Sequence, residues 1–314
     1  MTSTPRILCP VDFSDASRGA LRLAATIAGH FQARMIVLAV EDPLLTEAIG
    51  LGTGVTWDPE STRKELDHFV TRALHAQVAK ALDLQHEVAV GKPAQEILQA
   101  AQRERCDLIV MSTHGLTGVR KLFFGSTTER VLRETTVPVL ATPPDYAPTS
   151  LDEVRRLVGH ILVPVDLTPA SAHQLQVARG LSEALGVPMI ATHVVEPVRS
   201  PLAAKLHLAG IDMERRTRAE DALNELLATF PANFRTESLV VFGDPAEEIT
   251  KIARDRKAGL LIVGLHGSPV TGPRMGSVTY RVLCLAHALV LALPPAGVFS
   301  EAQPAGEARS FVHK

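Results

Sequence analysis

The sequence predicts an α/β protein built from two tandem domains, each a doubly wound, five-stranded parallel sheet, and three observations carry that reading. The first is an internal repeat. Ile7-Leu8-Cys9-Pro10-Val11-Asp12-Phe13-Ser14-Asp15-Ala16-Ser17 returns as Ile161-Leu162-Val163-Pro164-Val165-Asp166-Leu167-Thr168-Pro169-Ala170-Ser171. Gly91-Lys92-Pro93-Ala94 returns as Gly243-Asp244-Pro245-Ala246, His114-Gly115 as His266-Gly267, and Gly125-Ser126 as Gly276-Ser277. The offset starts at 154 residues and shrinks to 151, so small deletions separate two homologous halves. The second observation is length: 314 residues allow each half a core of its own. The third is strict alternation of strand-type and helix-type segments, with 46% hydrophobic but only 4% aromatic residues, as suits parallel sheets covered on both faces.

Residues 6–11 are a short apolar run stopped by Asp12, and Ser14 or Asp15 then caps a helix whose Ala20, Leu21, Leu23, Ala24, Ile27 and Ala28 share one face. Residues 35–40 form a continuous apolar strand. After a long loop, Ser61 opens an amphipathic helix running through Leu66, Phe69, Val70, Leu74, Val78 and Leu82. Residues 85–90 alternate into a third strand. The Gly91-Lys92-Pro93 turn sets proline at the first helical position, where its missing N–H costs nothing, and residues 94–104 follow as a helix. Strand 108–112, helix 127–133 entered directly from Gly125-Ser126, and strand 137–142, stopped by Pro143-Pro144, complete the half. The second half repeats the order with strands 161–165, 188–194, 237–242, 260–264 and 288–293 and helices 170–185, 211–229, 246–256 and 278–285. Domain boundaries fall at 1–145 and 159–295, with a linker over 146–158 and a loose tail over 296–314 rich in Pro, Gly, Glu and Ser.

Thirty-two basic against thirty-four acidic residues leave a net charge of −2 and no basic run to follow a nucleic-acid backbone. The N-terminus reads as a strand rather than a signal peptide. The weakly polar stretch 283–299 is broken by His287 and two prolines and is too short to span a bilayer. A soluble cytoplasmic protein without a membrane partner follows. Cys9, Cys106 and Cys284 are odd in number and far apart, so they read as reduced core residues rather than a disulfide or zinc framework.

In doubly wound sheets, ligands sit beyond the carboxyl ends of the strands where the strand order reverses. Asp12 and Asp166 end the first strands of their halves, and the glycine loops follow the fourth strands. The first loop reads Ser112-Thr113-His114-Gly115, nine residues, then Gly125-Ser126 at a helix start. Glycines and a helix N-terminus turn backbone N–H groups toward an anion. Ser126 and Thr128 are candidate hydroxyl donors to the same phosphates, and Arg120 and Lys121 are candidate neutralising charges or solvated loop residues. Asp12 and Asp166 have an alternative reading as helix caps. His114 and His266 read more simply as hydrogen-bonded loop residues than as ligands. Gly50-Leu51-Gly52-Thr53-Gly54 opens no immediate helix and reads as a loop over the pocket mouth. There is no phosphate-binding run ending in Gly-Lys-Ser/Thr and no Gly-x-Ser-x-Gly elbow, His68 and His75 are too far apart on their helix for an adjacent-turn metal pair, and no general base stands out. No catalytic and no metal-ligating residue is therefore assigned.

The paired halves resemble the universal stress protein family in its tandem form, over about residues 5–143 and 159–295. Nucleotide-binding members of that family carry Gly, two residues, Gly, nine residues and Gly-Ser or Gly-Thr, after a first strand ending in Pro-x-Asp. The resemblance implies a Rossmann-like, adenine-nucleotide alpha-hydrolase-like fold and ATP with Mg²⁺ as ligand. It implies that Pro10, Val11, Asp12 and Val40 hold adenine and ribose, that Met111, Ser112, His114 and Gly115 pass under ribose and phosphates, and that Gly125, Ser126, Thr127 and Thr128 bind the phosphate tail. The matching positions in the second half are Asp166, Val194, Val263, Gly264, Gly267, Gly276, Ser277, Val278 and Thr279. The first half has Ser112 where the family's first glycine stands. The second keeps Gly264 and Gly267 but has eight residues before Gly276, and Pro269 and Pro273 stiffen its loop and remove N–H donors. The first half is therefore expected to bind ATP and the second to be weaker or empty.

Three functions stay open on the sequence: a nucleotide-dependent stress or signalling regulator read by an unidentified protein partner, a scaffold that has lost nucleotide binding and takes a protein or other small ligand, and a weak ATP hydrolase or self-phosphorylating enzyme using Ser126, Thr128 or Ser277. The resemblance further implies an intramolecular pseudo-dimer in which the last strands of the halves pair, with a further homodimer as an option.

Overall fold

A computed structural model describes residues 4–43, 58–74, 76–113, 125–144, 146–197, 209–268 and 272–295. The chain divides into two units, residues 1–154 with 267–274, and residues 155–266 with 275–314. The first unit contains β1 (Arg6–Val11), α1 (Asp15–Phe31), β2 (Arg34–Glu41), α2 (Pro59–Ala73), α3 (Ala76–Ala81), β3 (Leu84–Val90), α4 (Pro93–Arg103), β4 (Leu108–Ser112), α5 (Ser126–Glu134) and β5 (Val139–Thr142). Helix α6 (Leu151–Val158) spans the boundary. Beyond it in the chain come β6 (Ile161–Pro164), α7 (Ala170–Leu185), β7 (Met189–Val195), α8 (Ala209–Leu227), β8 (Thr236–Phe242), α9 (Pro245–Asp255), β9 (Leu260–Gly264), β10 (His266–Ser268), β11 (Gly272–Arg274), α10 (Ser277–Leu285) and β12 (Leu289–Leu293).

Within the first unit the strands lie in the order β3-β2-β1-β4-β5, all parallel. Within the second the order is β8-β7-β6-β9-β12, again all parallel. Strands β10 and β11 pair with each other as a small separate sheet. Within each unit the strand order reverses beside the first strand, so the carboxyl ends of β1 and β4 flank one crevice in the first unit and those of β6 and β9 flank another in the second. The central strands are apolar on both faces: Ile7, Leu8, Ile36, Leu38 and Ile109 are fully buried in the first unit, and Ile161, Leu162, Leu261 and Ile262 in the second. That is why their sequences read as unbroken apolar runs rather than alternating ones.

The helix starts follow local chemistry. Ser14 caps α1, its hydroxyl oxygen accepting from the Ser17 N–H at 3.1 Å. Pro93 and Pro245 open α4 and α9. Only α9 has a side-chain cap at this place, because Asp244 stands where the first half has Lys92. Asp244 accepts from the Glu247 N–H at 3.1 Å, and Arg281 at 2.7 Å holds its carboxyl below the usual carboxylate range.

The structure departs from the expected elements in four places. The helix expected from Ser61 through Leu82 is two helices, broken where Leu74 adopts an extended backbone (φ −104°, ψ 135°) with its side chain buried. Beyond the break the apolar stripe loses register and Val78, expected on the inner face, is exposed. The stretch expected as linker contains α6, with Ser150 accepting from the Glu153 N–H at 3.2 Å and Glu153 reaching back to the Thr149 N–H at 2.9 Å. Strand β5 begins at Val139, two residues late, because Thr135 ties itself to Val137 through a 2.7 Å bond to its carbonyl oxygen. The β10–β11 pair has no counterpart among the expected strands. Among the described residues, no helix is long and apolar enough to cross a membrane.

The cysteines are free thiols. Burial pushes the Cys9 thiol far up, and burial with the nearby Asp107 and Glu104 carboxylates pushes Cys106 up to about 12, whereas Cys284 is only half-buried. Because the thiolate is the reactive form, a disulfide-exchange reagent should label Cys284 first in the native chain near neutral pH and reach Cys9 and Cys106 only on unfolding. Rapid native labelling of Cys9, read by peptide mass mapping, would contradict this packing.

Candidate functional site

The two Asp positions lie one residue or two beyond the ends of β1 and β6, and each is built into the same turn. In the first unit Phe13 takes a left-handed backbone (φ 64°), which folds the chain back so that the Asp12 carboxylate accepts from the Ser14 N–H at 3.1 Å and from the Ser14 hydroxyl at 2.5 Å. In the second, Leu167 does the same (φ 60°), and one Asp166 oxygen accepts from the Thr168 N–H at 3.0 Å, the Thr168 hydroxyl at 2.7 Å and the Ser171 hydroxyl at 2.9 Å. Neither aspartate is the capping residue itself: Ser14 occupies the cap of α1 and Pro169 that of α7. The capping reading is therefore replaced by an indirect one, in which Asp12 orients the cap.

Beside Asp12, the end of β4 meets the start of α5. Gly125 is the cap of α5, and its N–H donates to the Thr113 carbonyl oxygen at 2.9 Å. The Thr128 hydroxyl donates to the Ser112 carbonyl oxygen at 2.9 Å. These two bonds latch the first turn of α5 to the carboxyl end of β4, so its unpaired N–H groups point from a fixed place. The Thr128 hydroxyl has only one proton and it is committed to Ser112, so the donation to a phosphate expected of Thr128 is not available in this arrangement. Ser126 is exposed on the first turn and Thr127 half-buried. Pro10, Val11, Met111 and Ser112 are buried at the strand ends, and Val40 is half-buried in β2. His114, Gly115, Arg120, Lys121 and the Gly50–Gly54 run lie outside the described residues.

In the second unit the corresponding crevice holds a cavity of about 280 Å³. Six of the expected positions line it: Asp166, Val194, Val263, Gly264, Val278 and Thr279. The Thr279 hydroxyl faces the Gly264 carbonyl oxygen at 3.4 Å, the equivalent of the Thr128 latch. Gly276 at the cap of α10 and exposed Ser277 in its first turn are not among the lining residues, and Gly267 falls in β10. Sequence reasoning missed His173, Gln174 and His193, all of which line the cavity. The repeat itself carried the signal, for these positions align with Gly19, Ala20 and Ala39 of the first half. Among the described residues, no group of three or more His, Cys, Asp or Glu side chains is assembled for a metal ion.

The profile of the universal stress protein family matches residues 4–143 and again residues 158–294. The chain belongs to this family. As a tandem universal stress protein it is 31% identical to a universal stress protein of Methanocaldococcus jannaschii over 43% of this chain and 79% of that one. A two-domain match is the universal stress protein Mb2028c of Mycobacterium bovis, 24% identical over 75% of this chain and 77% of the relative. Among solved structures, a protein of Pseudomonas aeruginosa described as functionally unknown shares 16% identity with a TM-score of 0.65, covering 95% of each chain. A universal stress protein of Archaeoglobus fulgidus shares 21% identity with a TM-score of 0.61, covering 93% of this chain and 97% of that one. Both likenesses concern the fold.

Proposed function

We propose that the first unit binds an adenine nucleotide, ATP with Mg²⁺, at the carboxyl ends of β1 and β4, and that this universal stress protein acts in a stress response as a nucleotide-dependent regulator rather than as a strong catalyst. The observation that supports this is the latch that fixes Gly125 and the first turn of α5 next to the end of β4, one strand away from Asp12. A helix N-terminus supplies backbone N–H donors and a favourable dipole for phosphate, and Ser126 adds an exposed hydroxyl there. Asp12, anchored at 2.5 Å by Ser14, offers acceptors for ribose hydroxyls or base N–H groups on the far side. These residues bind and orient; none is placed as a nucleophile or base. The regulatory output follows if the loop after β4 settles differently with and without nucleotide and a partner protein reads the difference.

Calorimetric titration of the full chain with Mg²⁺ and ATP is expected to show one ATP per chain. Asp12→Ala should weaken it about tenfold through lost hydrogen bonds, with stability falling by about 1 kcal/mol because the cap loses its orienting partner. Absence of binding at millimolar ATP would overturn the reading and leave the protein-binding scaffold as the conclusion.

A further inference from the structure

Gly19 stands in the second turn of α1, a place where glycine weakens a helix. What requires it there is the chain that follows β5. That chain turns at Pro143, whose carbonyl oxygen accepts from the Tyr146 N–H at 3.2 Å, and Tyr146, Ala147 and Pro148 then lie over α1. A Cβ at position 19 would stand 2.6 Å from the Tyr146 carbonyl oxygen and 3.7 Å from the Ala147 Cβ, and Pro148 is buried. The backbone of this strap therefore rests directly on the backbone of the helix. The repeat shows that the fold does not demand such a seat. Pro143-Pro144 returns as Pro294-Pro295, but Gly19 returns as His173, and in the second unit His173, Pro294 and Pro295 line the cavity instead.

The seat carries one defect. The Tyr146 hydroxyl oxygen is buried and has no hydrogen-bond partner among the described residues. Burial, with a smaller effect from the Glu153 carboxylate, raises the pKa of this hydroxyl, so it stays a protonated donor at neutral pH. A buried donor without an acceptor penalises the seated strap against a lifted one whose hydroxyl meets water. Both flanks are firmly held. Before the strap, the Thr142 carbonyl oxygen accepts from the Thr113 N–H at 2.9 Å. After it, the Thr149 N–H donates to the Glu153 carboxylate at 2.9 Å, and the Glu153 N–H donates to the Ser150 hydroxyl at 3.2 Å. The piece free to lift is thus short and bounded by two anchors.

Helix α1 connects this seat to the candidate site. It starts at the Ser14 cap, which Asp12 orients, and the five residues from Ser14 to Gly19 span about 7.5 Å of helix axis. A rigid element of that length passes a shift of its start on to the seat. We infer that residues 146–148 form a releasable strap, seated on Gly19 while the Asp12–Ser14 turn holds the start of α1 and lifted when that turn loosens. The first unit's site thereby acquires a conformational output at the start of α6, the helix in which the boundary between the units falls. The response to nucleotide rests on ATP binding by the first unit; the strap itself does not.

Hydrogen exchange of the full chain, read at the Tyr146 and Thr149 amides, tests both parts. Tyr146→Phe keeps the ring and removes the unpaired hydroxyl, so exchange at residue 146 should slow about tenfold. Gly19→Ala sets a methyl group in the seat and should speed that exchange at least tenfold, while the amides of β2 stay protected and show the unit folded. Asp12→Ala should speed it several-fold, and Thr149 should change less in every variant. Mg²⁺ and ATP should slow exchange at residue 146 in the parent chain and much less in Gly19→Ala. Unchanged or faster exchange in Tyr146→Phe, or parental exchange at residue 146 in folded Gly19→Ala or in Asp12→Ala, would overturn the inference. Equal acceleration at Thr149 would overturn it too, because the start of α6 would then be fraying as a whole. ATP that binds without slowing exchange at residue 146 would break the link between site and strap. ATP that does not bind overturns the nucleotide reading alone, and the three substitutions still decide the strap.

Discussion

Gly259→Ala is expected to cost the second unit about 3 kcal/mol of stability or more, a large share of the roughly 5–15 kcal/mol that a domain has in total. Gly259 leads into β9 at a tight backbone crossing: its N–H donates to the Val158 carbonyl oxygen at 2.7 Å, and its own carbonyl oxygen accepts from the Leu289 N–H at 3.0 Å. Ala258 and Gly159 form an antiparallel bridge immediately beside it. A Cβ at 259 would overlap the Leu157 carbonyl oxygen and come within 2.8 Å of both the Leu157 carbonyl carbon and the Val158 Cα. These are backbone atoms of the last turn of α6, so no rotamer change relieves the clash. The end of α6 or the start of β9 would have to move, and with it the bonds to Val158 and Leu289. Gly186 is the control. It caps α7 in the left-handed region (φ 67°), and a Cβ there would meet nothing within 4 Å, so Gly186→Ala should cost only the conformational preference, about 1 kcal/mol. Urea unfolding followed by circular dichroism distinguishes the two, and equal losses would show that the crossing at Gly259 yields easily.

Much of the fold was legible because parallel strands buried on both faces have one simple signature. The runs 35–40 and 108–112 could hardly be anything else, and their observed counterparts β2 and β4 differ from them by at most one residue at either end. The turns at Asp12 and Asp166 were only half legible: the strand stop was expected at Asp12, but the aspartates read as possible helix caps, whereas their hydrogen bonds close inside the turn itself, to Ser14 and Thr168. What escaped was either weakly signalled or decided at long range. The start of α6 has the Ser-x-x-Glu pattern of a capping box at Ser150 and Glu153, but an eight-residue helix after three prolines offers little periodicity to confirm it. The break at Leu74 has no Gly or Pro to announce it; a good helical stripe was abandoned so that Leu74 could turn inward. Gly19, mid-helix in α1, is required by a contact 127 positions away, since a Cβ there would lie 2.6 Å from the Tyr146 carbonyl oxygen.

The site divides in the same way. Glycine spacing placed Gly125 and Gly276 at helix starts, but spacing says nothing about which hydroxyls are already committed. Thr128 reads as a phosphate donor until the Ser112 carbonyl oxygen, sixteen residues earlier, takes its proton. Gln174 and His193 lie inside a helix and a strand, where polar residues at apolar-period positions look like noise. Their meaning appears only when the sheet sets β6, β7 and β9 side by side.

Gly125→Val is expected to weaken ATP binding by the first unit on the order of 100-fold, and the cause is the latch rather than direct contact with phosphate. The backbone of Gly125 (φ −58°, ψ 131°) is open to any residue, so conformational strain is not the issue. A Cβ at this position would point at the Thr113 carbonyl oxygen, 3.3 Å away, and lie 3.8 Å from the Thr128 hydroxyl. Alanine can be absorbed by a shift of a few tenths of an ångström. Valine carries two further methyl groups into the gap between β4 and α5, and the helix start must retreat. That movement breaks or lengthens the Gly125-to-Thr113 and Thr128-to-Ser112 bonds together, each 2.9 Å, and about a tenfold loss for each hydrogen bond compounds to the stated effect. Stability should fall by about 1–3 kcal/mol, as for other overpacked sites, leaving the unit folded at room temperature. Thr128→Val separates the terms: it keeps the shape, removes one donor and should weaken ATP only about tenfold. Gly125→Ala should retain most of the affinity. If Gly125→Val binds ATP as the parent chain does while circular dichroism shows it folded, the helix start is not where the phosphates sit, and the assignment of the first unit's site fails with it.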